Sequence, residues 1–310
     1  MENTSEVTFL ILAAYGDLGK MKYFYFCCLL LLYLTIVIAN IILISLIFLD
    51  RSLHEPMYVF LCSLFMNELY GSTTFFPVLL LHILADTHEI SRANCNLQNF
   101  CLHTYGTTEI YNLAVMAYDR YLSICHPLHY SSRMNSCKMY SLIVFTWSFA
   151  FIKFLIPLSL QLQLPLCGNI IHKLYCANYS LVRLSCIDTT LDNIYGVFSL
   201  VLSVAVPLIP ILFSYANIVR ICYKSPKEAR VKALNTCIPQ VISLLNFSVS
   251  GFFEIVETQF DLAHIPQLIR NIFVVYLFTC PQLLNPVMYG VRLTKIRKAL
   301  KKRFFPNSTV

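Results

Sequence analysis

The run Met116-Ala117-Tyr118-Asp119-Arg120-Tyr121-Leu122-Ser123-Ile124-Cys125-His126-Pro127-Leu128-His129-Tyr130 decides how the rest of the chain is read. It closes a long apolar segment and opens a basic loop, so it marks a place where a membrane helix meets water. An adjacent Asp119-Arg120 pair costs little at such a boundary. The arginine stem stays in apolar surroundings while its head reaches water or a partner protein.

Working outward, the 310 residues are 57% hydrophobic and 13% charged, with a mean hydropathy of +0.65. A soluble domain carries about 25% charged residues, so lipid is the expected solvent. The formal charge of +7 gathers on one membrane face and does not point to nucleic acid. Most of the thirteen cysteines lie inside apolar runs, where they read as small buried hydrophobes. The first residues, Met1 to Glu6, are polar and acidic, unlike a cleavable leader, and the first apolar run is read as an uncleaved signal anchor.

A membrane helix needs about 20 apolar residues. Seven segments meet that length, at about 23–49, 57–82, 94–118, 139–162, 193–219, 233–256 and 268–291. The expected fold is an all-α membrane protein, a seven-transmembrane helix bundle forming one domain over 1–310, with tails at 1–22 and 292–310. An odd number of spans without internal repeats weighs against paired-repeat transporters. Lysine and arginine bias sets the orientation. Arg220, Lys224, Lys227, Arg230 and Lys232 cluster on the side of Arg120, as does the tail from Arg292 to Arg303, whereas the other side holds only Lys20, Lys22, Arg92, Lys173, Arg183 and Arg270. The amino terminus is therefore expected outside.

That topology makes Asn3 a glycosylation candidate and leaves Asn178 equally readable as modified or packed. Asn246 and Asn307 fall within a span and on the inner side, where modification is not expected. Cys95, Cys167, Cys176 and Cys186 lie on the oxidising side and allow three pairings. The segment 294–305 reads as a short amphipathic eighth helix, with Ile296, Leu300 and Phe304 on one face and basic residues between them, suited to the inner leaflet.

The run MAYDRYLSICHPLHY resembles the signature of odorant receptors, a branch of the rhodopsin-like G-protein-coupled receptors. The resemblance extends over essentially the whole chain: Asn40, Leu53-His54-Glu55-Pro56-Met57-Tyr58, Trp147, Ser214-Tyr215, Lys232 to Cys237 and Pro281 to Tyr289 all match family motifs. The pattern is more fish-like than mammalian. Departures are Glu55, Leu234, Asn235, Gln240 for a histidine, Glu68 for the second-span aspartate, and Ser248 where an aromatic is common.

The resemblance implies disulfides Cys95–Cys176 and Cys167–Cys186. It also implies an activation switch of Asp119, Arg120, Tyr121, Tyr215, Asn285, Pro286 and Tyr289, with Arg120 paired to Asp119 at rest and released towards a heterotrimeric G protein. The odorant is expected in the outer half of the bundle. His103, Gly106, Thr107 and Ile110 would face it from the third span, Ser199 and Ser203 from the fifth, Gly251 and Ile255 from the sixth, and Phe278 from the seventh. For each of them interhelix packing is the first reading, since small and polar residues are normal between membrane helices. Lys153 reads as a lysine snorkelling outward, with neutralisation of an acidic odorant as the alternative.

Glu68 and Glu109 lie at membrane depth, where ionisable groups are costly and by default functional. Glu109 precedes Arg120 by about three helical turns. Two readings stay open: with Asn40 and Asn285 the carboxyls hold a sodium ion, or they share a proton in a polar network. Otherwise no cofactor is expected. No GxSxG, HExxH or phosphate-binding glycine loop occurs, so an enzyme is not expected. The rival readings are a receptor for a non-olfactory small ligand and, in another class, a channel or transporter.

Overall fold

The computed structural model describes residues 7–16, 18–259 and 265–304. Its long helices are α1 (Met21–Leu49), α2 (Pro56–Leu84), α3 (Arg92–Cys125), α4 (Ser136–Gln163), α5 (Thr190–Lys224), α6 (Lys227–Gln259) and α7 (Gln267–Arg292), followed by the short α8 (Thr294–Phe304). Among the described residues, α1, α4, α5, α6 and α7 are long and apolar enough to cross a membrane by composition alone. The most apolar window of α1 buries only 17% of its residues against the rest of the protein, though Phe26, Leu29, Leu32 and Tyr33 pack partly against the core. α2 and α3 are just as long but carry more polar groups, and these are turned inward, away from hydrocarbon.

The helices overrun the expected spans, most notably in α3. The third span is expected to end at residue 118, yet the helix continues to Cys125, so Asp119, Arg120 and Tyr121 are helical rather than the start of a loop. Nothing from Asp119 to Ile124 opposes helix, and the first breaker is Pro127, which disfavours helical backbone in the residue before it. Ser91 caps the start of α3 by accepting from the Asn94 amide at 3.2 Å, and Asn135 caps α4 through the Lys138 amide at 2.9 Å.

The 1–22 tail contains an unexpected strand. β1 (Phe9–Leu12) lies between β2 (Glu89–Ser91), antiparallel to it, and β3 (Ile170–Ile171), parallel to it. Its alternation puts Leu10 and Leu12 inward, into the apolar cluster that also holds Phe75, Phe76 and Phe278. Cys95, in the first turn of α3, is bonded to Cys176, and Cys167 to Cys186, so both bridges lie at this end of the bundle. A second apolar cluster, with Phe60, Leu61, Phe65 and Ile296, occupies the opposite end. Between the two sits a layer of buried polar side chains.

Candidate functional site

The polar layer is built where α2, α3 and α7 meet. Glu68, Glu109 and Asn285 are fully buried. The Asn285 side-chain amide donates to Glu68 Oε1 at 2.5 Å and to Glu109 Oε1 at 3.2 Å, and Asn67 donates to Glu109 Oε2 at 2.9 Å. Two carboxyls sharing one amide in so dry a place can both be ionised only with a cation between them; without one, they hold a proton. Among the described residues Glu68 Oε2 and the Oδ1 atoms of Asn67 and Asn285 have no hydrogen-bond partner, so the layer presents oxygen atoms of the kind a hard cation takes.

Asn40 has a different task. Pro286 has no amide hydrogen, which leaves the carbonyl of Gln282, four residues earlier, without its helical donor. The Asn40 side-chain amide fills that vacancy at 3.0 Å, and also donates to Ile36 O at 2.9 Å. Asn40 therefore secures α1 to the proline-broken turn of α7, with only its Oδ1 left to the polar layer.

At the end away from the disulfides, the Arg120 guanidinium pairs with Asp119, its Nε at 3.1 Å, and the Tyr130 hydroxyl donates to the other carboxylate oxygen of Asp119 at 2.7 Å. Asp119 is 1% exposed and so has no competing water. Arg120 and Tyr130 line a cavity of about 780 Å³ together with Glu55, Lys227, Asn235 and Arg292. Tyr121 stands outside this cluster: its hydroxyl bonds His126 at 3.0 Å and its ring packs edge-on to Phe213. Among the described residues the buried hydroxyls of Tyr215 and Tyr289 have no hydrogen-bond partner, and Gln240, in place of the expected histidine, ties α6 to α3 by donating to Leu113 O at 2.7 Å.

At the disulfide end the candidate ligand residues divide. Thr107, Ser199 and Ser203 come together around Lys153, whose Nζ donates to Thr107 Oγ1 at 3.0 Å, to Ser203 Oγ, and to Ser199 O at 3.5 Å. The snorkelling reading of Lys153 is thus corrected: the side chain points into the bundle, where three oxygens satisfy it better than hydrocarbon could. His103 stacks on Phe154 of α4 with ring centroids 4.2 Å apart. Gly106 faces Phe247, and Ile110 belongs to the cluster of Tyr111, Ala114 and Ile211. Ser248, standing where an aromatic is common, is exposed, and Phe247, one residue earlier, packs inward against the cluster of Tyr111, Ala114 and Ile211. Phe278 stacks on Phe75 at 4.4 Å and belongs to the aromatic core under β1. Gly251 has open space around it, and Ile255 is half-buried on the same helix.

An ion cluster escaped the sequence reading. Lys173 lies 2.5 Å from Glu254 and 3.4 Å from Glu257, and the Tyr175 hydroxyl donates to Glu254 at 2.5 Å. It joins the loop carrying Cys176 to α6. Its only hint in sequence is an acidic pair, three residues apart, near the end of an apolar span. Asn3 lies outside the described residues. Asn178 accepts from Asn99 at 3.5 Å and is partly buried.

Comparison with known proteins agrees with this geometry. The crystal structure of squid rhodopsin matches with a TM-score of 0.77 over 97% of this chain and 91% of that one, at 19% identity, a likeness of fold. Olfactory receptor 5M5 of Mus musculus is 35% identical over 97% of this chain and 94% of its own length. Olfactory receptor 52D1 of Homo sapiens is 34% identical over 87% and 86%. The family model for olfactory receptors matches residues 26–306. With that match spanning nearly the whole bundle, and with Arg120 paired to buried Asp119, the chain belongs to the olfactory receptor family, G-protein-coupled receptors for odorants.

Proposed function

We propose that this receptor takes a small odorant into the half of the bundle nearest the disulfides and activates a heterotrimeric G protein of the stimulatory olfactory type, raising cyclic AMP. The observation that carries the coupling half is Arg120, held by buried Asp119 at the mouth of a cavity large enough to admit a partner segment. An odorant acts only as far as it binds the active arrangement better than the resting one. The mechanical expectation is that Arg120 leaves Asp119 as α5 and α6 part, and that the unpartnered hydroxyls of Tyr215 and Tyr289 find new acceptors. The protein is placed in the plasma membrane with its amino terminus outside and Asn3 glycosylated. Support comes from the basic residues at the Arg120 end and from α8, which carries Lys301, Lys302 and Arg303 in its last turn, next to anionic lipid.

Glu68, Glu109 and Asn285 would hold a sodium ion, with Asn67 and the free Oδ1 of Asn40 as further oxygen donors; a bound ion would supply the positive charge that lets both carboxyls stay ionised. The coupling reading is tested by cyclic AMP in cells expressing the olfactory G protein, across an odorant panel, with Arg120→Ala beside wild type. A ligand-dependent rise lost in the mutant, at equal surface expression, is expected. Undiminished signalling by that mutant contradicts the role given to Arg120.

A further inference from the structure

Lys153 is 9% exposed and lies ten residues before the end of α4, about 15 Å into the helix at 1.5 Å per residue. Its three ammonium protons face three oxygens, Thr107 Oγ1, Ser203 Oγ and the Ser199 carbonyl, contributed by α3 and α5. All three are neutral. Among the described residues no carboxylate pairs with it. Glu109, two positions beyond Thr107, is turned about 200° away on the same helix and is occupied with Asn67 and Asn285. The lysine thus has its hydrogen bonds but not its charge met, a costly condition for a cation at membrane depth.

This separates ligand classes. A neutral acceptor such as an ester or alcohol offers the ammonium nothing that Ser203 and Thr107 do not already supply. An anion supplies what is missing, and a charge-assisted bond is roughly twice as strong as a neutral one. Among the described residues two further polar atoms in this region are buried without hydrogen-bond partners, Ser199 Oγ and His103 Nδ1, the latter on a ring stacked against Phe154, the neighbour of Lys153. They could donate to the second oxygen of a carboxylate.

We propose that Lys153 is the counter-ion of an anionic odorant, and that this receptor selects small carboxylic acids in their ionised form, with Thr107, Ser199 and Ser203 orienting the ammonium. The inference rests on the odorant-binding half of the proposed function and adds the ligand class.

The experiment compares straight-chain carboxylic acids with their methyl esters of the same length, reading cyclic AMP from wild type, Lys153→Met and Lys153→Arg, each normalised to surface label. Wild type is expected to respond to acids at lower concentration than to esters. In Lys153→Met the half-maximal concentration for acids should rise on the order of 100-fold with esters unchanged, while Lys153→Arg keeps the preference for acids. If Lys153→Met fails to reach the surface, the acid-over-ester preference of wild type and of Lys153→Arg still decides. A wild type that answers neutral odorants and not acids, or a Lys153→Met that keeps the preference, overturns the proposal and leaves the receptor reading standing. Silence to both series overturns it too; a fall in basal cyclic AMP on Arg120→Ala then shows that coupling itself survives.

Discussion

Gly71→Ala should damage this receptor although alanine is the better helix former. Gly71 lies in α2 facing Tyr105 of α3 and Gln282 of α7. A methyl group there would fall 2.5 and 2.7 Å from two ring carbons of Tyr105 and 2.8 Å from the side-chain amide of Gln282. Comfortable carbon contacts lie at about 3.5–4.0 Å, so the overlap is about 1 Å against three atoms at once. Neither neighbour can retreat easily, since Tyr105 is 1% exposed and Gln282 fully buried. Asn67 donates to the Tyr105 carbonyl at 3.2 Å, which also pins the backbone.

Overpacking of this kind costs about 1–3 kcal/mol, and the helix preference of alanine returns up to about 1 kcal/mol. With three atoms clashing the upper end applies, for a net loss of about 2 kcal/mol. Gly196 in α5 and Gly251 in α6 are the internal controls. Nothing lies within 4 Å of a Cβ at either, so the same change there should gain up to about 1 kcal/mol. Thermal inactivation of the detergent-solubilised receptor, followed by loss of a conformation-dependent label, measures all three variants together. Gly71→Ala should inactivate earlier than wild type, and Gly196→Ala and Gly251→Ala no earlier. Equal stability of Gly71→Ala and Gly196→Ala would refute the argument.

Three further outcomes are expected. Sodium should lower agonist potency in wild type and lose that effect in Glu109→Gln, in concentration–response curves with and without the ion; potency indifferent to sodium in both removes the ion reading and leaves the shared proton. Cys95→Ser should reduce surface yield more than Cys167→Ser, because the first bridge spans 81 residues and the second 19, a difference in loop entropy of about 1.3 kcal/mol; equal yields by flow cytometry would count against it. The Thr190 hydroxyl and amide, both donating to exposed Asp188, hold its carboxyl below the usual range. A depressed acid stabilises above its unfolded pKa and loses that contribution as pH falls through the folded one. Asp188→Asn should therefore be less thermostable than wild type between pH 5 and 8, with the gap closing below about pH 4; a gap that persists in acid contradicts the assignment.

The membrane class, the long apolar helices and the family were legible in the sequence, because each rests on composition or on contiguous motifs. An apolar run long enough to cross a bilayer is a local property, and so is the run from Met116 to Tyr130 around Arg120. The same holds for the need to do something with Glu68 and Glu109, since an acid amid apolar residues is conspicuous wherever its partner lies. What each polar group does was not local. The strand Phe9–Leu12 is four residues long and owes its existence to partners about 80 and about 160 positions away, beyond any periodicity reading. Asn40 answers a carbonyl left free by a proline on another helix, a need invisible from its own neighbours. Lys153 resembles any interfacial lysine in sequence, and only the meeting of α3, α4 and α5 supplies the oxygens that draw it inward. Hydrophobicity is additive along a chain and can be read one residue at a time. A buried charge or amide is decided by its partners, and tertiary packing alone brings those to it.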